Sequence, residues 1–188
     1  MNFKIVILGS TRGSNLPGLY SGLLNTNIHV FSVMSNKENA GILEKAKALK
    51  IPAVYFKSEN FEKNLNDYLT ENKIDLLVLM GFMKILSAHF VASWKDKIIN
   101  VHPSLLPRHA GLMNLAVHQA VLDAKEKKTG CTVHAVIEKV DAGDIIIQKT
   151  CDVFLSDTAE TLKARVQSLE VPALIEAIKI SKKRCKPY

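Results

Sequence analysis

The segment Asn100-Val101-His102-Pro103-Ser104-Leu105-Leu106-Pro107 sets an amide and an imidazole two residues apart, just after the apolar pair Ile98-Ile99. In an extended strand, residues two apart point to the same face. Pro103 and Pro107 forbid a helix or central strand beyond that point and stiffen the loop. A neutral donor beside a titratable ring on a rigid turn suits the stabilisation of a developing oxyanion. Downstream, Val140-Asp141-Ala142-Gly143-Asp144 carries a carboxylate on a turn of small residues. Asp141 is the expected partner that holds the His102 imidazole protonated and raises its pKa; Asp144 competes for that role. His134 alternates with apolar neighbours, a pattern that fits a supporting site residue and a packed core residue equally. His29, His89, His109 and His118 have no evident partner and read as surface or loop residues.

Short apolar runs and amphipathic segments must hold these groups in place. Phe3 to Leu8 ends at Gly9 and reads as a buried strand. Further strands are expected over Ile28 to Met34, Ala53 to Phe56, Asp75 to Met80 and Ile98 to Val101. Helical spacing runs through Leu16 to Leu24, capped by Ser14 or Asn15, and through Asn39 to Lys50, Phe61 to Asn72 and Leu115 to Lys125. Phe61, Leu65, Tyr68 and Leu69 form one stripe. Then Thr129 to Glu138 and Asp144 to Phe154 read as two strands joined at Asp141-Ala142-Gly143. Thr158 to Ile180 reads as a long helix bent at Pro172. Alternating strands and helices imply an α/β chain with a parallel, doubly wound sheet; the late strand pair implies a mixed edge.

The chain has 188 residues, 47% apolar and 23% charged, which suits one globular domain over 1–188. The net charge of +7 is scattered, with its densest cluster at Lys182-Lys183-Arg184-Cys185-Lys186. An anionic small substrate explains a mild positive field as well as a nucleic acid does. Cys131, Cys151 and Cys185 are widely spaced, which argues against disulfides and a structural zinc. The apolar start is too short for a signal peptide and no stretch reaches a membrane span, so the expected compartment is cytoplasmic.

Two loops follow strands and could bind ligands. Gly9-Ser10-Thr11-Arg12-Gly13-Ser14-Asn15 opens a helix, where backbone N–H groups and the helix dipole favour a phosphate. Its spacing is neither GxGxxG nor a Walker A loop, and an ordinary strand–helix turn is the alternative. Gly81-Phe82-Met83-Lys84-Ile85-Leu86-Ser87 follows the fourth strand, where open sheets bind ligands; its apolar residues could grip a flat heterocycle or simply pack the core.

Together these motifs resemble the phosphoribosylglycinamide formyltransferases, the folate-dependent enzymes of purine synthesis. The resemblance runs nearly the whole chain in order. It includes Gly13-Ser14-Asn15-Leu16, Ser35-Asn36-Lys37, Gly81 to Ser87, Asn100 to Pro107, Thr129 to His134, Val140 to Gly143 and Arg165-Val166-Gln167. The Asn-x-His-Pro-Ser-Leu-Leu-Pro block marks the wider formyltransferase superfamily, and the Gly-Ser-Asn loop with the short chain selects this member. The resemblance implies a Rossmann-like formyltransferase fold with a mostly parallel seven-stranded sheet and helices on both faces. It implies Asn100, His102 and Asp141 as the catalytic trio, with Asn100 also touching the folate. Gly13, Ser14 and Asn15 would hold the phosphate of glycinamide ribonucleotide, and Gln167 and Glu170 would contact that substrate. Met83, Lys84, Ile85 and Leu86 would line the pterin site. The formyl donor would be 10-formyltetrahydrofolate, with no metal.

The chain departs from the family pattern in places. Lys84 stands where Arg is usual and cannot supply a planar fork. The Gly111 to His118 loop is longer than in common members, Val171 replaces a usual His, and a terminal strand pair is expected to be missing. Methionyl-tRNA formyltransferase and formyltetrahydrofolate hydrolase share parts of the pattern but add domains for which no residues remain here. A nucleotide- or nucleic-acid-binding Rossmann module is the non-enzymatic alternative. The expected partners are small molecules, not nucleic acid or membrane, with the chain a monomer or weak homodimer.

Overall fold

The computed structural model describes residues 2–57 and 59–184, so Cys185 and Lys186 of the basic tail lie outside the described residues. Seven strands form one sheet in the order β3-β2-β1-β4-β5-β6-β7. They are β1 (Phe3–Leu8), β2 (Ile28–Ser35), β3 (Ala53–Tyr55), β4 (Leu76–Leu79), β5 (Ile98–His102), β6 (Lys128–Ala135) and β7 (Ile145–Asp152). β1 to β5 pair in parallel, whereas β6 and β7 run antiparallel at the edge. The parallel sheet with a mixed edge is therefore as the sequence pattern requires.

Alternation along the strands builds a core on each face. Ile5, Ile7, Leu76 and Val78 face one side, with residues of α1 (Leu16–Leu23), α2 (Gly41–Ala48) and α6 (Ala159–Arg184). Val6, Leu8, Leu77 and Leu79 face the other, with α3 (Phe61–Glu71) and α4 (Ala88–Ser93). α5 (Leu115–Asp123) precedes β6 and buries Val117 and Val121. The helix α4 is absent from the sequence expectation. It is only six residues long, too short for periodicity to mark, and its start is set by Ser87, whose Oγ accepts from the Phe90 N–H at 3.2 Å. α6 also runs on through Pro172 to Arg184 as one helix.

The order 3-2-1-4-5 means that the chain leaves β1 toward one edge and β4 toward the other. A crevice opens where those connections part, beyond the carboxyl ends of β1 and β4. Ser10 ties its walls together: its N–H donates to the Gly81 carbonyl at 3.0 Å, and its Oγ accepts from the Met83 N–H at 3.1 Å.

Candidate active site

The crevice is a cavity of about 760 Å³ that reaches from the Thr11–Asn15 loop to the Gly81–Leu86 loop, with β5 and β6 as its floor. Its floor follows from register. Asn100 pairs with His134 and His102 with Thr132 across the antiparallel β5–β6 ladder, so directly opposed side chains share one face. Asn100 Nδ2 lies 3.2 Å from His134 Nε2. The structure thus brings His134 beside Asn100 rather than into the core behind it.

Asp141 completes the cluster from the β6–β7 connection. Its backbone is left-handed, φ 53°, and Gly143 follows because a Cβ there would meet the Ala135 carbonyl at 1.9 Å. Asp141 Oδ2 lies 3.2 Å from His102 Nδ1 and Oδ1 lies 3.5 Å from His134 Nε2. The Gly111 N–H donates to Oδ2 at 2.8 Å. Burial works to raise the Asp141 carboxyl, but the bonds from His134 and Gly111 and the His102 charge hold it below its ordinary value. Asp144, the competing carboxylate, is exposed and gives its backbone carbonyl to the Ala135 N–H at 2.9 Å.

His102 departs from expectation. Burial lowers its pKa, and although Asp141 opposes this, the net value falls below the ordinary imidazole value instead of above it. Its Nε2 is also engaged, 3.1 Å from the His109 carbonyl. His109 and His118 are likewise not partnerless surface residues. His109 Nε2 lies 3.0 Å from Glu126 Oε1. His118 is 1% exposed, with its Nδ1 buried and without a hydrogen-bond partner among the described residues. Burial, then the Lys163 and His102 charges, lower the His118 pKa to about 4. His29 and His89 are exposed, as expected.

The Gly13–Asn15 loop enters α1. Gly13 is left-handed, φ 63°, and a Cβ there would meet Ile42 at 2.5 Å. Asn15 occupies the N-cap position without capping: its side chain turns into the crevice. Its Nδ2 donates to Glu170 Oε2, and its Oδ1 accepts from Gln167 Nε2 at 3.3 Å. Burial pushes the Glu170 carboxyl up to about 7 against the opposing effects of Asn15 and Lys163. Lys163, Gln167 and Glu170 lie at helical spacing on α6, and all three line the cavity. Reading that spacing from Gln167 backwards would have found Lys163. Val171 packs on Gly18 of α1, where an added Cβ would meet it at 3.4 Å.

On the far wall Met83, Lys84, Ile85 and Leu86 all line the cavity. The Lys84 ammonium sits 5.3 Å from the Phe61 ring centroid, and Phe61 stacks on Phe82 at 5.8 Å. In the long Gly111 to His118 segment, residues from Leu115 onward are already the first turn of α5. Cys131 is buried and its thiol is pushed up to about 12, which makes it inert. Among the described residues no group of three or more His, Cys, Asp or Glu could hold a metal ion, and no helix is long and apolar enough to cross a membrane.

Residues 3–178 match the family model described as formyl transferase. The chain belongs to the formyl transferase family. It is 38% identical over 175 residues to phosphoribosylglycinamide formyltransferase of Haemophilus influenzae, covering 89% of this chain and 81% of that one. A crystal structure of phosphoribosylglycinamide formyltransferase from Anaplasma phagocytophilum superposes with a TM-score of 0.91 at 34% identity, covering 100% of this chain and 90% of that one. These two matches place it in the phosphoribosylglycinamide formyltransferase branch of the family. The chain is also 40% identical over 175 residues to the trifunctional purine biosynthetic protein adenosine-3 of Bos taurus, covering 89% of this chain and 17% of that protein. It spans between 13% and 18% of the length of the trifunctional relatives from Chironomus tentans, Bos taurus and Gallus gallus.

Proposed function

We propose that this chain is one catalytic domain that moves the formyl group of 10-formyltetrahydrofolate onto the amine of glycinamide ribonucleotide. The observation that carries the reading is the floor of the crevice. Asn100, His102, His134 and Asp141 meet there between a phosphate-type loop and an apolar loop. A cavity of about 760 Å³ lies within the range of small-ligand sites.

Backbone N–H groups of Gly13–Asn15, at the start of α1, would receive the phosphate. Lys163 makes no ion pair among the described residues and would add a positive charge there. Gln167 and Glu170 would meet the ribose. Met83, Ile85 and Leu86 would enclose the flat pterin ring, with Lys84 toward the exposed rim.

Asn100 Nδ2 would donate to the formyl oxygen as charge develops on it. The proton shed by the attacking amine would pass to the Asp141–His102 pair. Burial makes the His102 ring hold that proton weakly, so Asp141, which lines the cavity, can return it to the leaving nitrogen. His134 Nδ1 lies 2.8 Å from the Ala135 carbonyl, so its Nε2 would accept from the Asn100 amide and fix that donor beside Asp141. The partners would be small molecules rather than nucleic acid or membrane, the chain a monomer or weak homodimer, and the setting the cytosol.

The test is a spectroscopic assay for deformylated folate, run with glycinamide ribonucleotide added and omitted. Deformylation only with the ribonucleotide is the expected result. Deformylation without it would point to a hydrolase, and formylation of charged initiator tRNA would point to the tRNA-directed relative.

A further inference from the structure

The His102 ring is fixed on its second nitrogen by a backbone carbonyl, that of His109, 3.1 Å from Nε2. His109 holds a left-handed backbone, φ 57°, which side chains rarely adopt and which persists only where surroundings impose it. The surroundings are specific. His109 Nε2 lies 3.0 Å from Glu126 Oε1, and Glu126 Oε2 lies 3.4 Å from Arg108 Nη1. The Ser104 hydroxyl donates to the Arg108 carbonyl at 2.6 Å, and the Leu112 N–H donates to the His109 carbonyl at 3.3 Å. Glu126 itself is set by the end of α5: Lys125 turns the chain at φ 50°, and the Glu126 N–H donates to the Val121 carbonyl at 3.3 Å. The two side chains are 15% and 14% exposed, so their contact is shielded from solvent and differs from a surface pair.

We infer that Glu126 and His109 are positioning residues for formyl transfer: their contact holds the carbonyl that orients the His102 ring toward Asp141. The inference rests on the reading of His102 as a catalytic residue. Glu126 and His109 lie between the motifs Asn100 to Pro107 and Thr129 to His134 and belong to neither. Arg108, whose Nη1 lies 3.4 Å from Glu126 Oε2, is the cation that faces the pair. Without the Glu126 anchor the left-handed turn relaxes, the carbonyl leaves Nε2, and the ring swings about its Asp141 contact. A misplacement of about 1 Å at a reacting group costs up to a hundredfold in rate.

The test uses the purified full chain with Glu126→Ala, Glu126→Gln and His109→Asn, the last because Asn tolerates a left-handed backbone. Glu126→Ala and His109→Asn should lower kcat about ten- to a hundredfold and leave both KM values within about threefold. Glu126→Gln keeps an oxygen acceptor for His109 and should recover most of kcat. Proton NMR should show a protected His102 Nε2–H resonance in the wild type and in Glu126→Gln, lost in Glu126→Ala. Wild-type kcat with that resonance intact in Glu126→Ala overturns the inference. If Glu126→Ala does not fold, Glu126→Gln and His109→Asn carry the same comparison. If His102→Ala itself keeps its turnover, the catalytic reading fails instead, and the resonance still reports whether the ring is held.

Discussion

Nδ1 of His102 lies 3.2 Å from Oδ2 of Asp141, and both side chains are less than a tenth exposed. Asp141 and the His109 carbonyl are both acceptors, so only the imidazolium can donate to each at once. Burial opposes that charge and prevails, drawing the His102 pKa below its ordinary value. Asp141→Asn removes the opposing charge and should lower the pKa further. The folded pKa is depressed relative to the unfolded chain. The stability this contributes is therefore fully present above about pH 6.5 and is lost as pH falls toward the folded value. NMR titration of the His102 ring in both proteins checks this. A wild-type midpoint above 6.5, or a midpoint unmoved by Asp141→Asn, contradicts the assigned balance.

Turnover should depend on the cluster as a unit. Asn100→Ala, His102→Ala and Asp141→Ala should each lower kcat about a hundredfold or more, as loss of an oxyanion donor or its support does. Pairs of these changes should cost much less than the product of the single losses. Thermal melting run alongside separates a lost reaction from a lost fold. Near-full turnover in folded Asn100→Ala would remove the oxyanion role.

Lys163 should matter to one substrate only. It lines the cavity with Gln167 and Glu170, at the end proposed for the ribonucleotide, and has no ion-pair partner among the described residues. A charge-assisted hydrogen bond contributes about 1.5–3 kcal/mol, so Lys163→Met should raise the ribonucleotide KM about ten- to a hundredfold. The folate KM should hold within about twofold, and added salt should weaken ribonucleotide binding less in the variant. Steady-state kinetics at two salt concentrations checks both. A folate KM that rises instead would mean that the two ends of the crevice are assigned the wrong way round.

The sequence carried the site where chemistry and strand geometry are local. Asn100 and His102 are two residues apart on one strand, so their common face follows from the pleat alone. The helix opening at Asn15 is local in the same way. His134 needed the register of β5 against β6, which no local pattern specifies, so its place beside Asn100 came only with the fold. The same holds for His109 and Glu126, which meet through a loop closed by the end of α5. The sign of the His102 shift is not legible in the sequence, which shows charges but not the depth at which they are buried. Lys163 was legible as the residue one helical turn before Gln167, but it lies outside the motif that drew attention to Gln167.

Glu170 of α6 and His118 of α5, which both line the cavity, should give stability opposite slopes with pH. Burial pushes Glu170 up to about 7 from 4.5, so the folded state keeps a proton that the unfolded chain releases. Stability then falls as pH rises between about 4.5 and 7, by on the order of 3 kcal/mol. His118, drawn down to about 4 from 6.5, acts the other way: the unfolded chain binds the proton first, and stability falls as pH drops through that window. In the wild type the two largely cancel across their shared range, which leaves the lesser His102 contribution, of the same sign as that of His118. Glu170→Gln should unmask a stability that rises with pH, and His118→Gln one that falls. Urea midpoints measured at pH 4.8, 5.5 and 6.3 give both slopes, about where the two windows overlap. Slopes of the same sign in the two variants would show that one of these groups titrates normally in the folded chain.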